Sequence, residues 1–145
     1  MKKLFLIVFF LFINISILTA QTPITRSVVK IYTVSSSYNY DNPWQMGGQS
    51  NGTGSGCIID GQRILTNAHV ISNNTFIQVK KAGEATKYTA HVDSISHESD
   101  LEILKVDDPS FFKDSQPIKI GELPEVRDKV VGYGFPKGGD EMSIT

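Results

Sequence analysis

Short apolar runs recur about every ten residues between residues 27 and 134, and none grows into a long segment with the 3.6-residue period of an amphipathic helix. "SVVKIYTV" (27–34) alternates, with Val28 and Lys30 on one side and Val29, Ile31 and Thr33 on the other, as an opening strand does. "CIIDGQRILT" (57–66) sets two apolar runs around Asp60-Gly61, a hairpin signal because a type I′ turn needs positive φ at both central residues. "TFIQVKK" (75–81), "KYTAHVDSI" (87–95), "LEILKV" (101–106), "QPIKIG" (116–121) and "DKVVGYG" (128–134) continue the series. Between the first two runs, "SSSYNYDNPWQMGGQSNGTGSG" (35–56) is polar and rich in Ser, Asn and Gly, so a surface loop is expected there. The pattern predicts an all-β fold, a small barrel or sandwich.

The first twenty residues stand apart. Lys2 and Lys3 precede "LFLIVFFLFINISIL", and "LTA" leads to Gln21 and Pro23, the arrangement of a secretory signal peptide cleaved after Ala20. The rival reading, an uncleaved membrane anchor, meets a run that is short for a span of ~20 residues and is interrupted by Asn14 and Ser16. With the leader gone, stable membrane insertion is not expected. Its removal takes away two lysines and no acid, moving the formal net charge from −1 to −3. Such mild acidity offers no basis for binding nucleic acid. Residues 21–145 are then a single extracytoplasmic piece, secreted or periplasmic. Cys57 is the one cysteine, so the fold must rest on core burial without an intrachain disulfide.

Two other constellations are weak. "GTGSG" (52–56) is neither a dinucleotide fingerprint nor a P-loop, and Ser55 is not framed as a nucleophile elbow. It is expected to lead flexibly into a strand where backbones approach closely. His91, Asp93 and His97 lie near one another, but strand alternation puts His91 and Asp93 on one face and assures no third ligand. Solvated strand-end residues are the expectation, with no metal and no cofactor.

Two readings stand for His69, in "RILTNAHV" (63–70): a packed side chain, or a group that moves a proton. Its position just past a strand end favours a place at a cleft mouth. Asp100 immediately precedes the strand "LEILKV". A carboxylate and an imidazole at two strand ends can meet across a barrel, where the acid accepts from the ring N–H, fixes its tautomer and stabilises the imidazolium. His69 and Asp100 are the candidate catalytic residues.

"GSGCIIDGQRILTNAHVI", "SDLEILKV" and "VVGYGFPKGGDEMSIT" together resemble the HtrA/Deg branch of the chymotrypsin-like (trypsin-like) serine proteases, over the span from about Ser27 to Thr145. "SVVKIYTV" and "NPWQ" look like the plant-organelle and bacterial members. The resemblance implies a double β-barrel, represented here by the first barrel and the start of the second. It implies His69 as general base, Asp100 as its orienting partner, unfolded or damaged polypeptides as substrates, and assembly of the full-length protein into homo-oligomers. Three positions depart from the family's usual pattern. Glu102 stands where a small residue is common, and is expected either to face solvent or to perturb the site. Cys57 replaces an apolar residue and is expected to be a small buried hydrophobe. Asn67 replaces a frequent Ala and is expected to be harmless.

The family's Gly-Asn-Ser-Gly-Gly nucleophile motif is not among these residues, and Ser143 in "MSIT" lacks flanking glycines. The expectation is therefore the amino-terminal part of a longer serine endopeptidase, inactive by itself. Two alternatives remain open: a non-catalytic protease homologue that binds peptides or partners, and an unrelated secreted β-barrel in which His69 is merely packed.

Overall fold

The structure, a computed structural model, describes residues 24–136 and 139–145. The leader assigned to residues 1–20 lies outside them. Six strands, β1 (Val28–Tyr38), β2 (Met46–Ile59), β3 (Arg63–Thr66), β4 (Asn74–Lys81), β5 (Tyr88–Ser96) and β6 (Leu101–Val106), close into a barrel in the order β1-β2-β3-β6-β5-β4. Every neighbouring pair is antiparallel, and β4 returns to pair with β1, so the barrel leaves no open edge. A four-residue helix, α1 (Ala68–Ile71), follows β3. A short hairpin of β7 (Tyr133–Gly134) and β8 (Ser143–Ile144) comes last. The all-β expectation holds, with one barrel followed by the beginning of further sheet structure.

The core is built from inward alternation. Val29 and Ile31 of β1, Ile58 of β2, Ile64 of β3, Ile77 and Val79 of β4, Ala90 of β5 and Leu104 of β6 fill the interior, joined by Ile71 of α1. Phe111 enters the core from a 3₁₀ turn at Pro109–Phe112, edge-on to the rings of Tyr88 and Phe112. Asp108 caps that turn by accepting from the Ser110 N–H at 2.8 Å.

Three expectations need correction. The segment 35–56 is largely strand, not loop: β1 runs on to Tyr38 and β2 begins at Met46. Its outer half has water on both faces, so polar residues suffice and backbone pairing from Ile31↔Gly54 to Ser36↔Gln49 holds it. The hairpin after β2 turns one residue later than Asp60-Gly61, with positive φ at Gly61 (82°) and Gln62 (56°). Finally, 116–121 forms a single bridge, Ile118 to Ile59, and 128–134 contributes only Tyr133–Gly134. A strand needs a ladder partner, and the residues between lie exposed, with Ile120, Leu123, Val126 and Val130 all facing solvent.

This last segment is fastened to the barrel by polar contacts. The Ser27 hydroxyl donates to the Gln116 carbonyl. Phe135 N–H donates to Ser55 Oγ at 2.8 Å. Lys30, which alternation sets on the same side of β1 as Val28, is only 2% exposed. Its amine donates to the Gly139 carbonyl and to Asp140 Oδ1, both at 2.9 Å, so the later chain covers it.

Candidate active site

β3 and β6 are neighbours, and Thr66 pairs with Glu102 at the end of their ladder. The chain leaving β3 and the chain entering β6 therefore emerge side by side. His69 and Asp100 meet there, at adjacent strand ends and not across the barrel. Asn67 is still extended (φ −89°, ψ 141°), and α1 begins immediately after it. Ala68 and Ile71 turn inward, which leaves His69 outward. The helix is too short to be stable by propensity. Side-chain bonds hold it, one tertiary and one local: Thr33 Oγ1 donates to the Val70 carbonyl at 3.4 Å and Asn74 Nδ2 to the Ile71 carbonyl at 2.9 Å.

His69 Nδ1 lies 2.7 Å from Asp100 Oδ2, and the His69 backbone N–H donates to Asp100 Oδ1 at 2.8 Å. A carboxylate only accepts, so the proton of this contact sits on Nδ1 and Nε2 is left with a lone pair. These bonds, the backbone one foremost and the imidazole next, hold the Asp100 carboxyl below its usual range. The His69 side chain is 71% exposed and that of Asp100 44%, so the pair is open on one side. Asp100 itself has φ of 53°, a left-handed conformation that Asp tolerates better than most residues.

Asn67, expected only to be harmless, belongs to this cluster. Its amide Nδ2 donates to the Asp100 carbonyl at 3.1 Å and to Asp100 Oδ2 at 3.2 Å. The one hint in the sequence was a side-chain amide two residues before the histidine, at a strand end.

Glu102 faces neither solvent nor the dyad. It is buried to 1% exposure within the barrel, neither carboxyl oxygen has a hydrogen-bond partner, and burial pushes its pKa up to about 7. Cys57 is half-buried, not fully buried, and its thiol is pushed up by desolvation. It lines a mainly apolar groove of about 400 Å³ with Val28, Leu65, Thr66, Asn67 and Leu101, beginning beside the His69–Asp100 pair.

His91 and Asp93 go to different partners. His91 Nδ1 contacts Asp107 Oδ1 at 2.8 Å, and Lys105 Nζ donates to Asp93 at 2.7 Å. A bulge in β5 between Val92 and Ser94 breaks the simple alternation there. Among the described residues no three His, Cys, Asp or Glu side chains gather as metal ligands. No helix among them is long and apolar enough to cross a membrane.

Residues 31–144 match the family model described as Trypsin. The mitochondrial Protease Do-like 4 of Arabidopsis thaliana is 46% identical over 120 residues, covering 83% of this chain and 23% of the plant protein. The Serine protease DegP homolog of Plasmodium falciparum is 40% identical over 120 residues, covering 83% of this chain and 14% of its own length. Among solved structures, a protease of M. tuberculosis in its active form superposes with a TM-score of 0.63 at 25% identity, covering 83% of this chain and 46% of that one. The chain thus spans less than a quarter of the length of those two curated relatives.

Proposed function

The chain belongs to the trypsin family, and from that premise we propose that it is the His- and Asp-bearing part of a Do-like serine endopeptidase acting on polypeptides. The observation that carries this reading is the 2.7 Å contact between His69 Nδ1 and Asp100 Oδ2 at an exposed barrel rim. It leaves Nε2 directed to other work. In the complete enzyme Nε2 takes the proton of a serine hydroxyl as the oxygen attacks the scissile carbonyl, then returns it to the departing amine. Asp100 holds the ring and stabilises the imidazolium. Chemistry of this kind needs no cofactor.

The nucleophilic serine and the oxyanion donors come, in this reading, from sequence outside these 145 residues. Ser143 is no substitute, since it lies in β8 paired with Gly134 and lacks glycine neighbours. Donors of this kind each contribute roughly 3–4 kcal/mol in measured cases, so the 145-residue piece alone does not hydrolyse peptides. The basic, then apolar, amino terminus supports action outside the cytoplasm, and the resemblance to the Do-like proteases supports unfolded or damaged polypeptides as the substrates.

A fluorophosphonate probe on the full-length protein tests this. Labelling is expected, and His69→Ala is expected to abolish it. A full-length protein that takes up no probe overturns the endopeptidase reading and favours a non-catalytic, peptide-binding homologue.

A further inference from the structure

Asp100 makes an unusual demand on its surroundings. Its backbone is left-handed, and its carboxylate must point back at His69 from a rim where nearly half of the side chain meets water. Water competes for such a carboxylate, and a rotation about its χ angles would release the imidazole. Something must hold the side chain against its own backbone.

We infer that Asn67 is the positioning residue that does so, clamping the carboxylate of Asp100 to the carbonyl of the same residue. The two contacts come from one nitrogen. Asn67 Nδ2 carries two protons; one reaches the Asp100 carbonyl at 3.1 Å and the other Oδ2 at 3.2 Å. Oδ2 is also the atom that faces His69 Nδ1. The amide therefore closes a small ring through the backbone and side chain of Asp100. Turning the carboxylate away from His69 would break the Asn67 bond to Oδ2 in addition to the two bonds that His69 supplies, and relaxing the left-handed backbone would break the Asn67 bond to the carbonyl.

Asn67 is itself well placed for the task. It is the last extended residue after β3, and the next residue, Ala68, donates its N–H to the same Asp100 carbonyl at 3.3 Å. Asn67 is exposed, so its side chain adds nothing to the core. It also borders the apolar groove beside the dyad. An exposed side chain whose two bonds both go to Asp100 acts on the dyad and not on global stability. The inference rests on the endopeptidase reading for its effect on turnover, but its geometric part stands apart from it.

Two measurements separate these. In the 145-residue chain, the Asp100 carboxyl is titrated by carbon-detected NMR in the native protein, Asn67→Ala and Asn67→Asp. Losing a donor raises the midpoint in Asn67→Ala, and an opposed carboxylate raises it further in Asn67→Asp, with unchanged thermal unfolding in Asn67→Ala. Native-like titration in both variants overturns the clamp. In the full-length protease, Asn67→Ala is expected to lower kcat about tenfold, the size of one lost hydrogen bond, with KM unchanged. A change confined to KM overturns the positioning role. Absence of peptidase activity in the native full-length protein overturns the endopeptidase reading, while the Asp100 titration still decides the clamp.

Discussion

Glu102 stands directly opposite Thr66 in the β3–β6 ladder, yet the two side chains do not bond: Thr66 Oγ1 donates to the Ser55 carbonyl at 2.9 Å, and both Glu102 oxygens are left without a partner. A buried, unpaired carboxyl is destabilised as the anion and persists as the neutral acid. Just two residues after Asp100, the barrel thus holds a carboxyl with the opposite tendency.

That contrast predicts a pH-dependent stability. Burial raises the Glu102 pKa from 4.5 to about 7. The folded state therefore binds the proton more tightly than the unfolded chain, and stability falls as pH rises from about 4.5 to about 7, then levels off. Glu102→Leu removes this effect. Its stability advantage over the native protein should grow between pH 5 and pH 8 by up to about 3 kcal/mol. Urea unfolding at the two pH values checks it; a difference that does not change with pH sinks the account.

Gly54 makes a second prediction. A Cβ at this position would sit 2.3 Å from Val70 Cγ1 and 2.9 Å from Cγ2. Val70 follows His69 on α1, so the crowding is transmitted to the segment that presents the imidazole. Gly54→Ala should destabilise by about 1–3 kcal/mol, as overpacking does. Adding Val70→Ala should recover part of the loss, a coupling that a double-mutant cycle by denaturant unfolding reads directly. Additive single effects would show that the contact is relieved elsewhere.

Cys57 is shielded in the folded state, and its thiol is pushed up by burial. Alkylation by iodoacetamide at pH 7.5 should be slower in the native chain than in the same chain in urea, because the thiolate is the reacting species. Equal rates would place the sulfur in open solvent.

What could be read in advance follows from how each residue gets its environment. β4 announces itself because one face is buried by its own barrel, so alternation survives in "TFIQVKK", whereas in "LEILKV" the buried face carries Glu102 and the exposed one Leu101. The outer half of β2 does not, because a ribbon wetted on both faces places no apolar demand on its side chains. Lys30 is buried under chain more than a hundred positions later, which local alternation cannot show. His69 and Asp100 are legible as strand-end residues of complementary chemistry. Asn67 is not, because its role depends on the left-handed carbonyl of Asp100, which no pattern of residue types reveals.

The same left-handed conformation selects the sharpest substitution at the site. Asn tolerates φ near 53° almost as well as Asp, whereas most residues would be strained there. Asp100→Asn should therefore keep the barrel and its thermal unfolding at pH 7 close to native, apart from the loss of the carboxylate–imidazole hydrogen bond. Its effect on chemistry should be large. An amide facing His69 Nδ1 can present its N–H, which places the imidazole proton on Nε2 and removes the lone pair that accepts from the serine. In the full-length protease kcat should fall roughly 10⁴-fold at pH 7, the loss that accompanies a wrong tautomer in a Ser-His-Asp site. The native pair should also respond to acid. Because the Asp100 carboxyl is held below its usual range, the stability it contributes is present above the unfolded pKa and disappears as pH falls through the folded one. Asp100→Asn should lack that acid-side loss. A full-length Asp100→Asn protein retaining native kcat would remove Asp100 from the mechanism and leave its contact with His69 as a purely structural bond.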